Sequence, residues 1–223
     1  NFVNKLWNAA RFVLMNVRIP LTEPLESPLK TEELNLADRW ILSRLAFTTD
    51  LARKAIDSYK FNEFAHYLYQ FTWHEFCDWY IEMSKLSLNE TLRDNKVKTQ
   101  WVLFTVLKQV LLLLHPLMPF ATEEIWQTLI SKGQEGITAA SEKEWSIMIQ
   151  PYPKVNARWI QPEAEEKVGF LTEVIRAIRN LRTEMNCPPS KQIDVSLFVA
   201  EQDLDFLRSQ ESYLRTLARA GSV

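Results

Sequence analysis

His74 and Cys77 lie three residues apart in the run Phe71-Thr72-Trp73-His74-Glu75-Phe76-Cys77-Asp78-Trp79-Tyr80, with His66 upstream, and their types could do chemistry. On an α-helix an i, i+3 pair shares a face, so a metal pair or a thiol–imidazole nucleophile is conceivable. A structural zinc takes four ligands, and two cysteines and three histidines supply no second cluster to complete the set. No metal is expected. The thiol reading fails for another reason: Cys77, His74 and Asp78 sit mid-helix among Trp73, Phe76, Trp79 and Tyr80, without a loop to supply oxyanion donors. Satisfied side chains are expected there, with the aromatic stripe and Trp7, Trp40 and Trp79 forming core in preference to a base-stacking platform.

The charged residues offer a second kind of chemistry. Residues 1 to 18 carry Lys5, Arg11 and Arg18 and no acid, a local basic patch in a chain whose formal net charge is -2. Arg176, Arg179 and Arg182 recur every three residues, compatible with a ridge facing phosphates; Glu173 and Glu184 at either side favour a solvated, salt-bridged face. Glu123 and Glu124 open a helix, where carboxylates complement the positive end of the dipole.

The elements that must position these residues are mostly helices. Phe2, Leu6, Ala9, Ala10 and Val13 make an i, i+3, i+4 stripe over residues 2 to 16, ended by Pro20, Pro24 and Pro28. Further helices are expected from about Ala37 to Tyr59 with Asn35 as cap, from Asn62 to Leu88, from Lys96 to Leu114, and from Thr122 to Ser131 beyond Pro116 and Pro119. Gly133 and Gly136 break the pattern, and Ser146 to Gln150 reads as a short strand. Beyond Pro153 come a helix from Pro162 to Met185, an alternating strand from Gln192 to Val199 and a helix from Leu204 to Ala218. The fold class expected is mainly α: a bundle of about five helices over residues 1–152, then a small α/β segment over 153–223 whose sheet is incomplete.

Composition narrows the function classes. At 223 residues, 47% hydrophobic and 24% charged, the chain can bury a substantial core. Val110 to Leu114 is too short an apolar run to span a bilayer, so no membrane partner is expected. The two cysteines, Cys77 and Cys187, fit neither a disulfide framework nor a zinc ribbon, and a cytoplasmic setting follows. The four glycines, at 133, 136, 169 and 221, leave no Walker loop or dinucleotide fingerprint, which argues against a nucleotide site. A chain opening on Asn1, without a methionine or a leader, reads as an excised fragment.

Five blocks carry a family resemblance: the run from Asn4 to Asn16, Leu36-Ala37-Asp38-Arg39-Trp40-Ile41-Leu42, Phe76 to Tyr80, His115 to Trp126, and Ile178 to Asn186. Together they resemble the anticodon-binding region of bacterial valyl-tRNA synthetases, class I aminoacyl-tRNA synthetases, over the whole chain. The block at His115 is shared with the isoleucine, leucine and methionine relatives; the first and last blocks favour valine, and the zinc-binding tail of isoleucine enzymes is not represented. The resemblance implies a parent ligase that esterifies valine to its tRNA using ATP and magnesium and edits mischarged threonine in a separate domain. It also implies a C-terminal coiled coil not present here. The His-x-Gly-His signature is absent, and Met83-Ser84-Lys85 echoes the Lys-Met-Ser-Lys-Ser signature only superficially. The fragment is therefore expected to hold no catalytic site, cofactor or metal. Its expected partners are the anticodon stem-loop of valine tRNA and the rest of the parent chain, with no DNA.

For tRNA binding the resemblance and side-chain chemistry select Asn8, Arg11, Asn16 and Arg18 at the first helix and its exit, and Lys85 and Leu88 near the end of the third. Arg and Lys hold phosphates, Asn pairs with splayed base edges, and Leu88 packs under a base. For Arg11 the competing role is a core-lining or inter-helix salt bridge. A non-RNA-binding helical scaffold, or the isoleucyl relative's domain, are the alternative readings.

Overall fold

The computed structural model describes residues 1–17, 30–89, 93–133, 146–188 and 190–222, in two compact units, Asn1–Gln161 and Pro162–Val223. In the first unit the helices are α1 (Phe2–Asn16), α2 (Leu36–Asp57), α3 (Phe61–Tyr69), α4 (Ile81–Asn89), α5 (Arg93–Leu114) and α6 (Pro119–Gly133). A π-helical segment, Gln70–Tyr80, joins α3 to α4, and the residues flanking its two ends keep right-handed helical dihedrals, so the chain makes one uninterrupted rod. The proline-rich loop expected after α1, and Arg18 with it, lies outside the described residues.

Core burial explains the order of packing. α5 packs against α1, α2, α3, α4 and α6. Its residues Val102, Leu103, Val106, Leu107, Leu111 and Leu113 are all buried. A helix surrounded by others is apolar all round instead of on one stripe. By length and composition Asp94–Leu114 could cross a membrane, contrary to the expectation from the short run Val110 to Leu114, but 72% of its apolar stretch is buried inside the bundle. Pro119 sits at the first helical position of α6, where its missing N–H costs nothing, so the helix begins earlier than Thr122. The corner before it is fixed by His115, whose Nδ1 lies 2.8 Å from Thr122 Oγ1.

Between helices the bundle is held by polar contacts of defined geometry. Arg44 on α2 forks onto Glu75 of the π segment with two 2.9 Å hydrogen bonds. Asn35 caps α2, its Oδ1 accepting from the Asp38 N–H at 2.8 Å, while its Nδ2 donates to Asp38 Oδ2 at 2.7 Å. Tyr80 (2.6 Å) and Thr99 (2.8 Å) also donate to the Asp38 carboxylate, joining α2, the π segment and α5. Asp38 is fully enclosed, and burial pushes its carboxyl up from 3.8 to about 6 against the opposing effect of those three hydrogen bonds.

α2 ends in a left-handed residue that is not glycine. Tyr59 has φ 58°, with Lys60 N–H donating to Ala55 O at 2.8 Å and Tyr59 N–H to Ile56 O at 2.9 Å, the Schellman pattern. An L side chain in that region costs about 1–2 kcal/mol. Tyr59→Gly is therefore expected to stabilise the chain by about 1 kcal/mol. A urea midpoint moved upward at constant m is the confirming result, and a lowered midpoint refutes it.

The boundary between units falls after Gln161, later than the expected end of the bundle at 152. Residues beyond Pro153 are tied to the bundle by Arg53 Nη1 to Pro153 O (3.0 Å), Thr31 Oγ1 to Arg158 O (3.1 Å) and Gln161 N to Ser43 Oγ (2.8 Å). The short strand expected at Ser146 to Gln150 is a 3₁₀ turn, Ile147–Ile149, opened by the Ser146 hydroxyl and by Glu123, which accepts from Ile147 N–H.

The second unit contains α7 (Pro162–Glu184), α8 (Glu201–Ser209) and α9 (Glu211–Ala218), with α9 against α7. It is not the α/β segment expected. Residues 192–199 alternate as a strand does, but among the described residues they pair only through the parallel bridge Ile193–Ala220 and its flanking bonds, Gly221 N to Ile193 O and Val195 N to Ser222 O. A strand needs a ladder on its edge, and one bridge does not make one. The last helix is also broken, at Gln210.

Candidate nucleic-acid interface

The first helix buries Leu6, Ala9, Ala10 and Val13 against the π segment, α5 and α6. Its opposite face is open: Asn4, Asn8 and Arg11 are exposed, and so are Trp7 (43%) and Met15 (68%). Trp7 is thus not core, although Trp40 and Trp79 are. The stripe at 6, 9, 10 and 13 already fills the seam, which turns position 7 outward. Asn8 and Arg11 lie three residues apart on that open face. Among the described residues Arg11 makes no ion pair.

The C-terminal end of α1 meets the far end of the rod and the start of α5. Lys85 Nζ sits 5.8 Å from the Phe12 ring centroid and 2.6 Å from Glu82 Oε1. Asn16 donates from Nδ2 to Phe12 O at 2.8 Å, and its own carbonyl accepts from Gln100 on α5. Asn35 reaches Ser87 and Thr99, both at 3.2 Å, at the same end. Lys96, one turn before Gln100, is exposed, and Lys98 pairs with Asp94 at 2.7 Å. Arg11, Asn16 and Lys85 are therefore gathered around one end of the bundle, together with lysines of α5 that sequence reasoning missed. Only the antiparallel return of the rod brings α5 to this end, and no local pattern announces it.

Leu88 does not join them. It is 5% exposed and packs inward, so the expectation that it lies under a base is corrected: its place near the end of α4 belongs to the core-facing stripe.

The His74–Cys77 group also resolves. In a π turn i, i+3 residues do not share a face. His74 Nδ1 lies 3.3 Å from Asp78 Oδ2, Lys5 bonds Asp78, and burial pushes the Cys77 thiol up to about 12, partly offset by the Lys5 charge. A thiol held protonated is not a nucleophile at neutral pH. Among the described residues no cluster of three metal-ligating side chains occurs. The aromatic stripe divides: Phe71, Phe76, Trp79 and Tyr80 are core, whereas Tyr69 and Trp73 stack on each other at 5.6 Å with Phe2 beside them and Lys5 Nζ 3.8 Å from the Trp73 ring centroid.

In the arginine ridge of the second unit Arg176 is exposed, while Arg179 and Arg182 turn to backbone carbonyls. Arg182 is 7% exposed and donates to Arg219 O (3.3 Å), Pro188 O (3.1 Å) and Lys191 O (2.7 Å), while Arg179 Nε donates to Leu217 O at 2.9 Å. Arg179 and Arg182 each satisfy one carbonyl at the end of α9, where the helix leaves orphan acceptors and a negative dipole end, and Arg182 also ties down the segment after α7 through Pro188 O and Lys191 O.

Comparison with known proteins gives the family. The model of the anticodon-binding domain of tRNA ligase matches residues 38–197. The valine–tRNA ligase of Carboxydothermus hydrogenoformans is 45% identical over 213 residues, 96% of this chain and 22% of that protein. That of Geobacter sulfurreducens is 43% identical over 224 residues, 100% of this chain and 24% of that protein. For Lactobacillus johnsonii the identity is 40% over 203 residues, 91% and 22% of the two lengths. The chain thus spans 22–24% of these relatives. With a family match running from α2 through the rest of the bundle and the whole of α7, this chain belongs to the family of anticodon-binding domains of tRNA ligases.

Proposed function

We propose that the chain is the tRNA-binding module of a valine–tRNA ligase, holding the anticodon stem-loop on the open face of α1 and the adjoining end of the bundle. The observation that carries this reading is that Asn16 and Lys85 both meet Phe12 at the end of α1, with Asn8 and Arg11 exposed on the same helix, in a chain whose relatives are valine–tRNA ligases. Arg11, Lys85 and Lys96 meet phosphates; Trp7 and Met15 give an apolar surface on which an unstacked base can lie; Asn8 and the Oδ1 of Asn16 face base edges. Arg18 continues the basic patch in this reading. Valine activation by ATP and its transfer to tRNA belong to the longer cytoplasmic enzyme, so the chain alone is expected to show no valine-dependent ATP–pyrophosphate exchange.

The test is binding of the full chain to valine and isoleucine tRNAs across a salt series. Phosphate contacts release counterions, so affinity falls steeply with salt; scaffold charges give no such binding. Arg11→Ala and Lys85→Ala are each expected to weaken all tRNAs and to lower the slope of log K against log salt by about 1. Slopes unchanged in both variants remove those side chains from the interface. Absence of salt-dependent binding by the folded chain refutes the function.

A further inference from the structure

The corner where α5 turns into α6 displays side chains that water disfavours. Phe120 is 90% exposed in the first turn of α6, Met148 is 73% and Ile149 60% exposed in the 3₁₀ turn Ile147–Ile149, and Leu117 stands open just before α6. Single exposed apolar side chains are ordinary. These belong to two segments held side by side: Glu123, one turn after Phe120, accepts from Ser146 Oγ at 3.0 Å and from Ile147 N–H at 3.1 Å. Exposed apolar side chains gathered in this way mark an interaction surface.

The backbone beneath the patch is fixed. Ile147 is buried, Ser146 Oγ accepts from Met148 N–H at 3.2 Å, and Thr122 Oγ1 donates to Met118 O at 2.9 Å while meeting His115. Side chains shown on a fixed backbone lose little freedom on docking. Charge decides what fits them. Residues 109–131 and 146–153 contain no Lys or Arg, and their acids are Glu123 and Glu124. A phosphate backbone needs cations, which makes RNA a poor occupant. Aromatic residues and Met, with few charges among them, are what the centre of a protein interface holds. The patch is also remote from the tRNA end: from Gln100, which donates to the Asn16 carbonyl, to Leu114 at the corner, α5 rises about 20 Å.

We infer that the remainder of a longer ligase chain seats on this corner, through Leu117, Phe120, Met148 and Ile149. The inference rests on the reading of the chain as one module of a valine–tRNA ligase. The chain spans 22–24% of its valine–tRNA ligase relatives, so a ligase of their length has ample polypeptide outside it to supply the apolar counterpart. With RNA held at the α1 end and the ligase body at the α6 corner, the bundle is a spacer of fixed length between the two.

The experiment is hydroxyl-radical footprinting of the full chain and of the longer ligase that contains it, each with and without valine tRNA. Phe120 and Met148 are oxidised where water reaches them, and Met15, 68% exposed at the α1 end, is the reference. In the chain alone all three are expected to be modified rapidly. In the longer ligase without tRNA, Phe120 and Met148 are expected to be modified at least tenfold more slowly, while Met15 keeps its rate. Undiminished modification of Phe120 and Met148 in the longer ligase overturns the inference. Protection in the chain alone that grows with its concentration also overturns it, assigning the corner to a second copy, and protection that needs tRNA overturns it in favour of RNA. The tRNA reading is judged separately, by whether tRNA protects Met15.

Discussion

Raising the pH from 4 to 7.5 is expected to cost the native chain about 2 kcal/mol more stability than it costs Asp38→Asn. Burial holds the Asp38 carboxyl at about 6 in the folded bundle, against 3.8 as its ordinary value. Between those two values the folded state binds more protons than the unfolded one, so stability falls as pH rises. The contribution is fully present below 3.8 and is lost as pH rises through about 6. Urea unfolding of the two proteins at both pH values isolates it, because other titrating groups are common to both. Tyr80→Phe removes a 2.6 Å donor to the carboxylate, so its folded proton is held to still higher pH and its loss over the same interval is larger. A native-minus-variant difference that does not change with pH refutes the buried-carboxyl account. The functional consequence lies close by: Asn35, Ser87 and Thr99 join this network at the end of the bundle where Asn16 accepts from Gln100.

Changing the second or third anticodon letter of valine tRNA is expected to weaken binding by about 1–3 kcal/mol per lost base contact, by analogy with duplex base readout. Valine tRNAs differ at the first letter and share adenine and cytosine at the other two. A module that reads them must therefore tolerate the first and reject changes at the others. Splayed loop bases present edges that a carboxamide can pair with, and the open face of α1 supplies Asn8, with Asn16 at its exit. Asn8→Ala or Asn16→Ala is expected to shrink the difference between valine tRNA and its altered forms, leaving the salt slope in place. Competition binding with tRNAs altered singly at each letter measures this. Equal affinity for all three altered forms and the parent refutes anticodon reading and leaves the interface a positioning surface.

The residue pattern determined most of the helices by itself. The stripe Leu6, Ala9, Ala10, Val13 and the cap at Asn35 specify α1 and α2 through local geometry alone. The family blocks likewise lie in the chain order. What the sequence could not contain is where non-neighbours meet. The π turns that separate His74 from Cys77, the outward swing of Trp7, and the inward one of Leu88 depend on which seam each helix fills. Arg179 and Arg182 read as a surface ridge because a helical face looks the same whether water or a carbonyl awaits it; the end of α9, some forty residues on, decides the matter. The strand expected at 192–199 has the right alternation, but side-chain period is local while a sheet is a relation between segments, and only Ala220 to Ser222 lie alongside it among the described residues. Local spacing fixes what a segment can be, and tertiary contacts supply the partner that selects what it is.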